Sequence, residues 1–133
     1  MTKSITKGAH HIGLTVSKLE ESAGFFISLL GWKEVRRNDA YPAIFVSDGS
    51  ILITLWATKE QPSQPFNKNK NVGLHHLALQ MDSEAALNNL FEKLSTHSVD
   101  FEFSPEQLGE GPAKHMMCYD PSGIRIEFIW PGN

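Results

Sequence analysis

Four of the six histidines stand in two adjacent pairs, His10–His11 and His75–His76. The pairs occupy equivalent places in two similar segments, AHHIGLTVS at 9–17 and LHHLALQMD at 74–82, which aligns His11 with His76. Each segment alternates apolar with small or polar residues, the period of a half-buried strand. In that register Ile12, Leu14 and Val16 face one way, and His11, Gly13 and Thr15 the other. Leu77, Leu79 and Met81 are opposed in the same manner by His76, Ala78 and Gln80. A third strand pattern, Ile124–Trp130, points Ile124, Ile126 and Phe128 at the core and leaves Arg125, Glu127 and Ile129 on the far side. His11, His76 and Glu127 therefore share the polar face. Two imidazoles and one carboxylate form an open ligand set for one divalent metal ion, such as zinc, nickel, manganese or iron. Such an ion chelates two neighbouring substrate oxygens and stabilises the negative charge that develops on them.

The same parity places other side chains around this set. Leu52, Thr54 and Trp56 should line one side of the cleft, with His115 and Met117 on the other. Trp56 and Met117 suit a substrate with an apolar or flat portion. His115 is the spare acid–base candidate, since imidazole titrates near neutrality. Arg125 is a candidate for holding an anionic substrate group, and Thr54 stands where the first half matches Glu127. Cys118 has core parity and reads as packing rather than as a nucleophile. His10 and His75, of opposite parity, read as structural or as supports for a ligand. His97 follows the second helix, where an imidazole suits the helix dipole.

The elements that position these residues repeat. A cap at Ser17 or Ser22 opens a helix whose Phe25, Phe26, Leu29 and Leu30 form an apolar stripe ending at Gly31. A cap at Asp82 or Ser83 opens a second, with Leu87, Leu90, Phe91 and Leu94 on one face. Three short strands follow each helix: Trp32–Arg36, Ala43–Val46 and Ile51–Trp56, then Asp100–Phe103, His115–Tyr119 and Ile124–Trp130. The turns before the last strands also correspond, SDGS at 47–50 and DPSG at 120–123. The polar stretch at 58–71 reads as a linker, and 104–114 as a surface loop. The fold class is α+β, two βαβββ modules in tandem.

Composition narrows the function. At 133 residues the chain suits one domain, or two half-sized modules sharing a core. Twelve basic against fifteen acidic residues give a net charge of −3, which argues against nucleic acid and anionic membranes as partners. A single cysteine permits no internal disulfide, and no apolar run approaches membrane-spanning length. The polar start, MTKSITKG, does not look like a secretion signal, so a cytoplasmic address is expected.

The segments HIGLTVSKLEESAGFFISLLGW, HLALQMDSEAALNNLFEKL and YDPSGIRIEF resemble the vicinal oxygen chelate superfamily. That group includes glyoxalase I, methylmalonyl-CoA epimerase, fosfomycin-modifying enzymes, extradiol dioxygenases and bleomycin-binding proteins. The resemblance covers residues 9–130, and its most specific part is the DPxG turn followed by a strand glutamate. It implies a single glyoxalase-like domain over 1–133, with module 1 at about 9–57, the linker at 58–71 and module 2 at about 72–131. The modules would form an incompletely closed, barrel-like mixed sheet with helices outside and a metal held by His11, His76 and Glu127. It also implies a homodimer, whose modules pair within one chain or across two. Departures from the family narrow the activity. Glyoxalase I and the epimerases resemble each other in having a carboxylate where Thr54 stands. Fosfomycin transferases have a threonine at the place of Gly13 and a tyrosine at that of Met117. Extradiol dioxygenases typically are about twice as long. The reading is a metal-dependent lyase or isomerase, like lactoylglutathione lyase, acting on a small oxygenated metabolite. A thiol transferase, a dioxygenase or a non-catalytic drug- or metabolite-binding protein are the alternatives.

Overall fold

In the computed structural model, which describes residues 2–133, the two alternating segments become β1 (His11–Val16) and β5 (Leu77–Gln80). The chain divides into two units, the first ending at Gln61 and the second beginning at Pro62. In the first, β1 leads to α1 (Leu19–Gly24), β2 (Lys33–Asn38), β3 (Ala43–Ser47) and β4 (Leu52–Ala57). In the second, β5 leads to α2 (Glu84–Ser95), β6 (Asp100–Gln107), β7 (Lys114–Tyr119) and β8 (Arg125–Trp130). Each unit holds one four-stranded sheet, in the orders β1-β4-β3-β2 and β5-β8-β7-β6. First and last strands pair parallel and the others antiparallel, so each sheet is mixed and neither closes into a barrel. This is the expected α+β fold of βαβββ units. Among the described residues no helix is long and apolar enough to cross a membrane.

The repeat extends to the turns and to burial. Asp48 accepts the backbone N–H groups of Ser50 and Ile51, and Asp120 those of Ser122 and Ile124, so one aspartate turn launches each last strand. Ile53 and Leu55 of β4, like Ile126 and Phe128 of β8, are buried, each stabilising its unit by roughly 1.5–3 kcal/mol. The residues between them, Thr54 and Glu127, are buried as well. They are the two polar side chains that the parallel pairing sets opposite Gly13 and Ala78.

Several local expectations change. The N-cap of α1 is Lys18, whose side chain makes no capping hydrogen bond, so neither Ser17 nor Ser22 caps it; Ser22 is buried inside the helix. The helix then widens over Phe25–Leu29, where the Leu30 N–H reaches the Phe25 carbonyl at 3.2 Å. Phe25 and Phe26 are both buried there, edge to face at 5.6 Å. The strand β6 does not stop at Phe103 but runs through Pro105 to Gln107, shortening the expected loop. It tolerates a proline because it is the edge of its sheet, and its register shifts twice. The second helix follows expectation. Ser83 Oγ accepts the Ala86 N–H at 3.0 Å, and Leu87 and Leu94 are fully buried. Replacing Ser83 by alanine should cost about 1 kcal/mol, read as a lower urea midpoint at unchanged slope.

Candidate functional site

Glu127 organises the polar face of the second unit. The β-ladders set it opposite Ala78 on β5 and Met117 on β7, and only 10% of its side chain is exposed. Both carboxylate oxygens are engaged. Oε1 lies 3.1 Å from His76 Nε2, and Oε2 lies 2.7 Å from His115 Nδ1. His115 is itself largely buried, its ring tilted against Phe103 at 4.9 Å. It is not a solvated strand-end histidine. Its Nε2 is 3.9 Å from Glu106 Oε1, too far for a hydrogen bond. His76 sits one residue before β5 rather than within it.

A chain of side chains fixes which His76 nitrogen carries the proton. Arg125 can only donate, and its Nη1 lies 3.3 Å from His75 Nδ1. That nitrogen is therefore an acceptor. Desolvation, then the Arg125 charge, pushes His75 below the usual imidazole range, in keeping with a neutral ring. His76 Nδ1, 2.8 Å from the same atom, must then donate to it. This leaves His76 Nε2 facing a carboxylate oxygen at 3.1 Å, and a cation is needed between the two atoms. A metal ion meets that need as well as a proton does. Two donors at about 2.1 Å from one octahedral ion stand about 3.0 Å apart, so the separation and donor chemistry fit. Among the described residues no group of three His, Cys, Asp or Glu side chains is arranged to hold a metal ion.

The expected residues of the first unit form a different neighbourhood. His11 is exposed, its Nδ1 2.9 Å from that of His10. Two residues along β1, Gly13 faces Thr54, whose hydroxyl accepts the Trp56 indole N–H at 2.8 Å. A Cβ at Gly13 would stand 3.2 Å from Thr54 Oγ1 and 3.5 Å from Trp56 Nε1, so the bare backbone makes room for the indole. Tyr41 and Phe45 flank the same indole at 4.8 and 5.5 Å. Thr54 thus orients Trp56, and three aromatic rings, Tyr41 edge-on and Phe45 tilted against the indole, make an apolar cluster.

Arg125 is not a free surface arginine. Only 12% of its side chain is exposed, and it forms a two-pronged ion pair with Glu102, Nε to Oε1 at 2.8 Å and Nη2 to Oε2 at 2.7 Å. Tyr119 OH donates to the same carboxylate. Met117 is buried beside Glu127 in register. Cys118 is fully buried and its thiol is pushed up to about 12 by desolvation and then by Asp120, which suits packing and not nucleophilic chemistry. His97 Nδ1 reaches the Lys93 carbonyl at 2.8 Å, at the end of α2 as its position suggested. Sequence reasoning missed Glu102, Tyr119 and Lys68. Only Glu102 carried a signal, an acid at polar parity between Phe101 and Phe103.

Residues 8–128 match the model of the Glyoxalase/Bleomycin resistance protein/Dioxygenase superfamily. The chain belongs to that superfamily. Uncharacterized protein YqjT of Bacillus subtilis (strain 168) is a relative 29% identical over 127 residues, the match covering 92% of this chain and 98% of that protein. A glyoxylase/bleomycin resistance protein/dioxygenase domain from Frankia sp. EAN1pec superposes with a TM-score of 0.82 at 25% identity, covering 95% of this chain and 93% of that one. Lactoylglutathione lyase from Agrobacterium tumefaciens shares the fold, with a TM-score of 0.75 at 16% identity over 96% of each chain.

Proposed function

We propose that the protein is a metal-dependent lyase or isomerase of the glyoxalase type, acting on a small oxygenated metabolite held through two oxygens. The ligands in this reading are His76 and Glu127 of the second unit, with His11 as the third, supplied by the same chain or by a second copy in a cytoplasmic homodimer. One observation carries it: His76 Nε2 stands 3.1 Å from a buried Glu127 oxygen, the spacing of two donors on one metal ion. A bound divalent ion supplies Lewis acidity to a substrate carbonyl. The chain's own residues do the rest. His115 donates Nδ1–H to Glu127, which holds the carboxylate in place and leaves His115 Nε2 as a proton acceptor. That nitrogen takes a proton from the carbon beside the carbonyl and returns it to the neighbouring carbon, a redox-neutral isomerisation. Thr54, Trp56 and Met117 are proposed to flank the apolar part of the substrate.

The test is hydrogen exchange in D₂O at the carbon beside the carbonyl of a hemithioacetal formed from methylglyoxal and a thiol. Exchange should be accelerated by the purified protein, stop after treatment with a chelator and return with added divalent metal. A protein that holds stoichiometric metal but exchanges no proton sinks the lyase or isomerase reading. A protein that folds and binds the same compound with no metal at all points to the non-catalytic binding class instead.

A further inference from the structure

The polar stretch read as a linker does more than connect. Residues 65–69 line a cavity of about 330 Å³ in the second unit, together with His75, Tyr119, Gly123 and Arg125. That volume is at the small end of ligand pockets. The segment is folded on itself by its asparagines. Asn67 N–H donates to Asn71 Oδ1 at 2.7 Å, Asn69 N–H donates to Asn67 Oδ1 at 2.8 Å, and Asn71 N–H donates to the Asn67 carbonyl at 2.8 Å. Phe66 lies over Gly73, where an added Cβ would stand 3.0 Å from the ring, yet the ring keeps 46% of its surface exposed. The wall is built before any ligand arrives, which lowers the ordering cost of binding.

The lining has two cations, Lys68 and Arg125, and no carboxylate. Glu102 stands behind Arg125 and takes Nε and Nη2, which fixes the guanidinium and leaves Nη1 toward His75. Lys68 Nζ is 4.0 Å from the nearer Glu102 oxygen, outside hydrogen-bond range. One carboxylate thus faces two cations, and a positive charge is left over beside the exposed Phe66 and the half-buried Tyr119. We propose that this cavity binds the anionic end of a small planar acid, with its carboxylate between Lys68 and Arg125 Nη1 and its flat body against Phe66 and Tyr119. Arg125 and Glu127 share a face of β8 two residues apart, roughly 7 Å along the strand. On the metal reading proposed above, and only on it, the acid is the substrate itself and its carboxylate stands about that far from its chelating oxygens.

Binding of 2-naphthoate to the full chain, stripped of metal by dialysis against a chelator, tests the site by calorimetry and backbone amide NMR. Saturable binding is expected, with shifts concentrated at residues 66–69, 75, 119 and 123–125. The neutral analogue 2-naphthylmethanol should bind at least about tenfold more weakly, as for loss of a charge-assisted hydrogen bond. Lys68→Glu, in an exposed loop, should weaken naphthoate at least about tenfold, and Phe66→Ala severalfold, with each variant's amide spectrum confirming the fold. No binding, equal binding of acid and alcohol, an unaffected Lys68→Glu variant, or shifts that map elsewhere would overturn the proposal. Because the protein is metal-free in this experiment, failure of the metal reading leaves these results untouched. Failure here likewise leaves the metal content of the purified protein unchanged.

Discussion

Alanine in place of Glu127 is expected to weaken divalent metal binding at least about 100-fold, the largest effect of any single change at the site. The carboxylate supplies the negative charge of the ligand set, and nothing else within the His76–His115 pair replaces it. Its removal also leaves the His115 Nδ1–H without an acceptor, so the variant should lose about 1–2 kcal/mol of stability for reasons unrelated to metal. The two effects separate in a thermal shift experiment. Metal at 100 times its dissociation constant adds about 2.7 kcal/mol to the wild-type protein, whereas a 100-fold weaker site adds about 0.4 kcal/mol at the same concentration. The Tm of the variant should therefore start lower and barely rise when metal is added. His115→Ala should fall between, at about 10–100-fold, because it removes only the hydrogen bond that orients the carboxylate. An equal Tm rise in wild type and Glu127→Ala would show that metal binds elsewhere.

Strand parity was the most informative part of the sequence, and it carried as far as single faces of single sheets. Alternation alone placed Glu127 with Arg125 and Ile129, and His115 with Met117. The β7–β8 register then sets Met117 opposite Glu127 and His115 diagonally beside it, within reach of its carboxylate. Parity could not show that His115 would donate to Glu127 rather than stand free in a cleft, since that depends on rotamer and burial. The Glu102–Arg125 pair was less legible still. It requires the β6 register, which shifts between Phe101 and Phe103 and again before Glu106, and neither shift has a signature beyond Pro105. The cavity beside the 58–71 segment was hidden for another reason. Asparagine and lysine look like solvated linker residues, but here the amides bond to the local backbone and leave Lys68 facing a cavity. The first helix departs where its cap was read from serine alone, because Ser22 lies fully buried inside the helix, which begins at Leu19.

Glu102→Gln is the change expected to cost most outside the metal ligands, because it leaves the mostly buried Arg125 guanidinium short of a counter-charge. Glu102 is held down to about 2, first by the hydrogen bond from Arg125 and next by that from Tyr119. A carboxyl depressed in the folded state binds its proton more readily when unfolded. Its contribution is thus complete above the ordinary carboxylate value, near 4.5, and is lost as pH falls toward about 2. The carboxylate is partly solvated, so screening reduces that contribution to about 1–2 kcal/mol. Urea unfolding of the wild type at pH 7 and at pH 2.5 should show this loss, together with whatever other acids contribute. The Gln variant should start about 1–2 kcal/mol lower at pH 7, and the gap between the two proteins should narrow by pH 2.5. A gap that is the same at both pH values would mean that the pair stabilises through packing and not through charge. A second consequence reaches the site. Without Glu102 the guanidinium is free to turn, its hold on His75 Nδ1 weakens, and the His75–His76 proton is no longer confined to one side. Imidazole ¹⁵N shifts should then change from a single tautomer of His76 in the wild type to a mixture in the variant. Unchanged His76 shifts would leave Arg125 with a purely structural part.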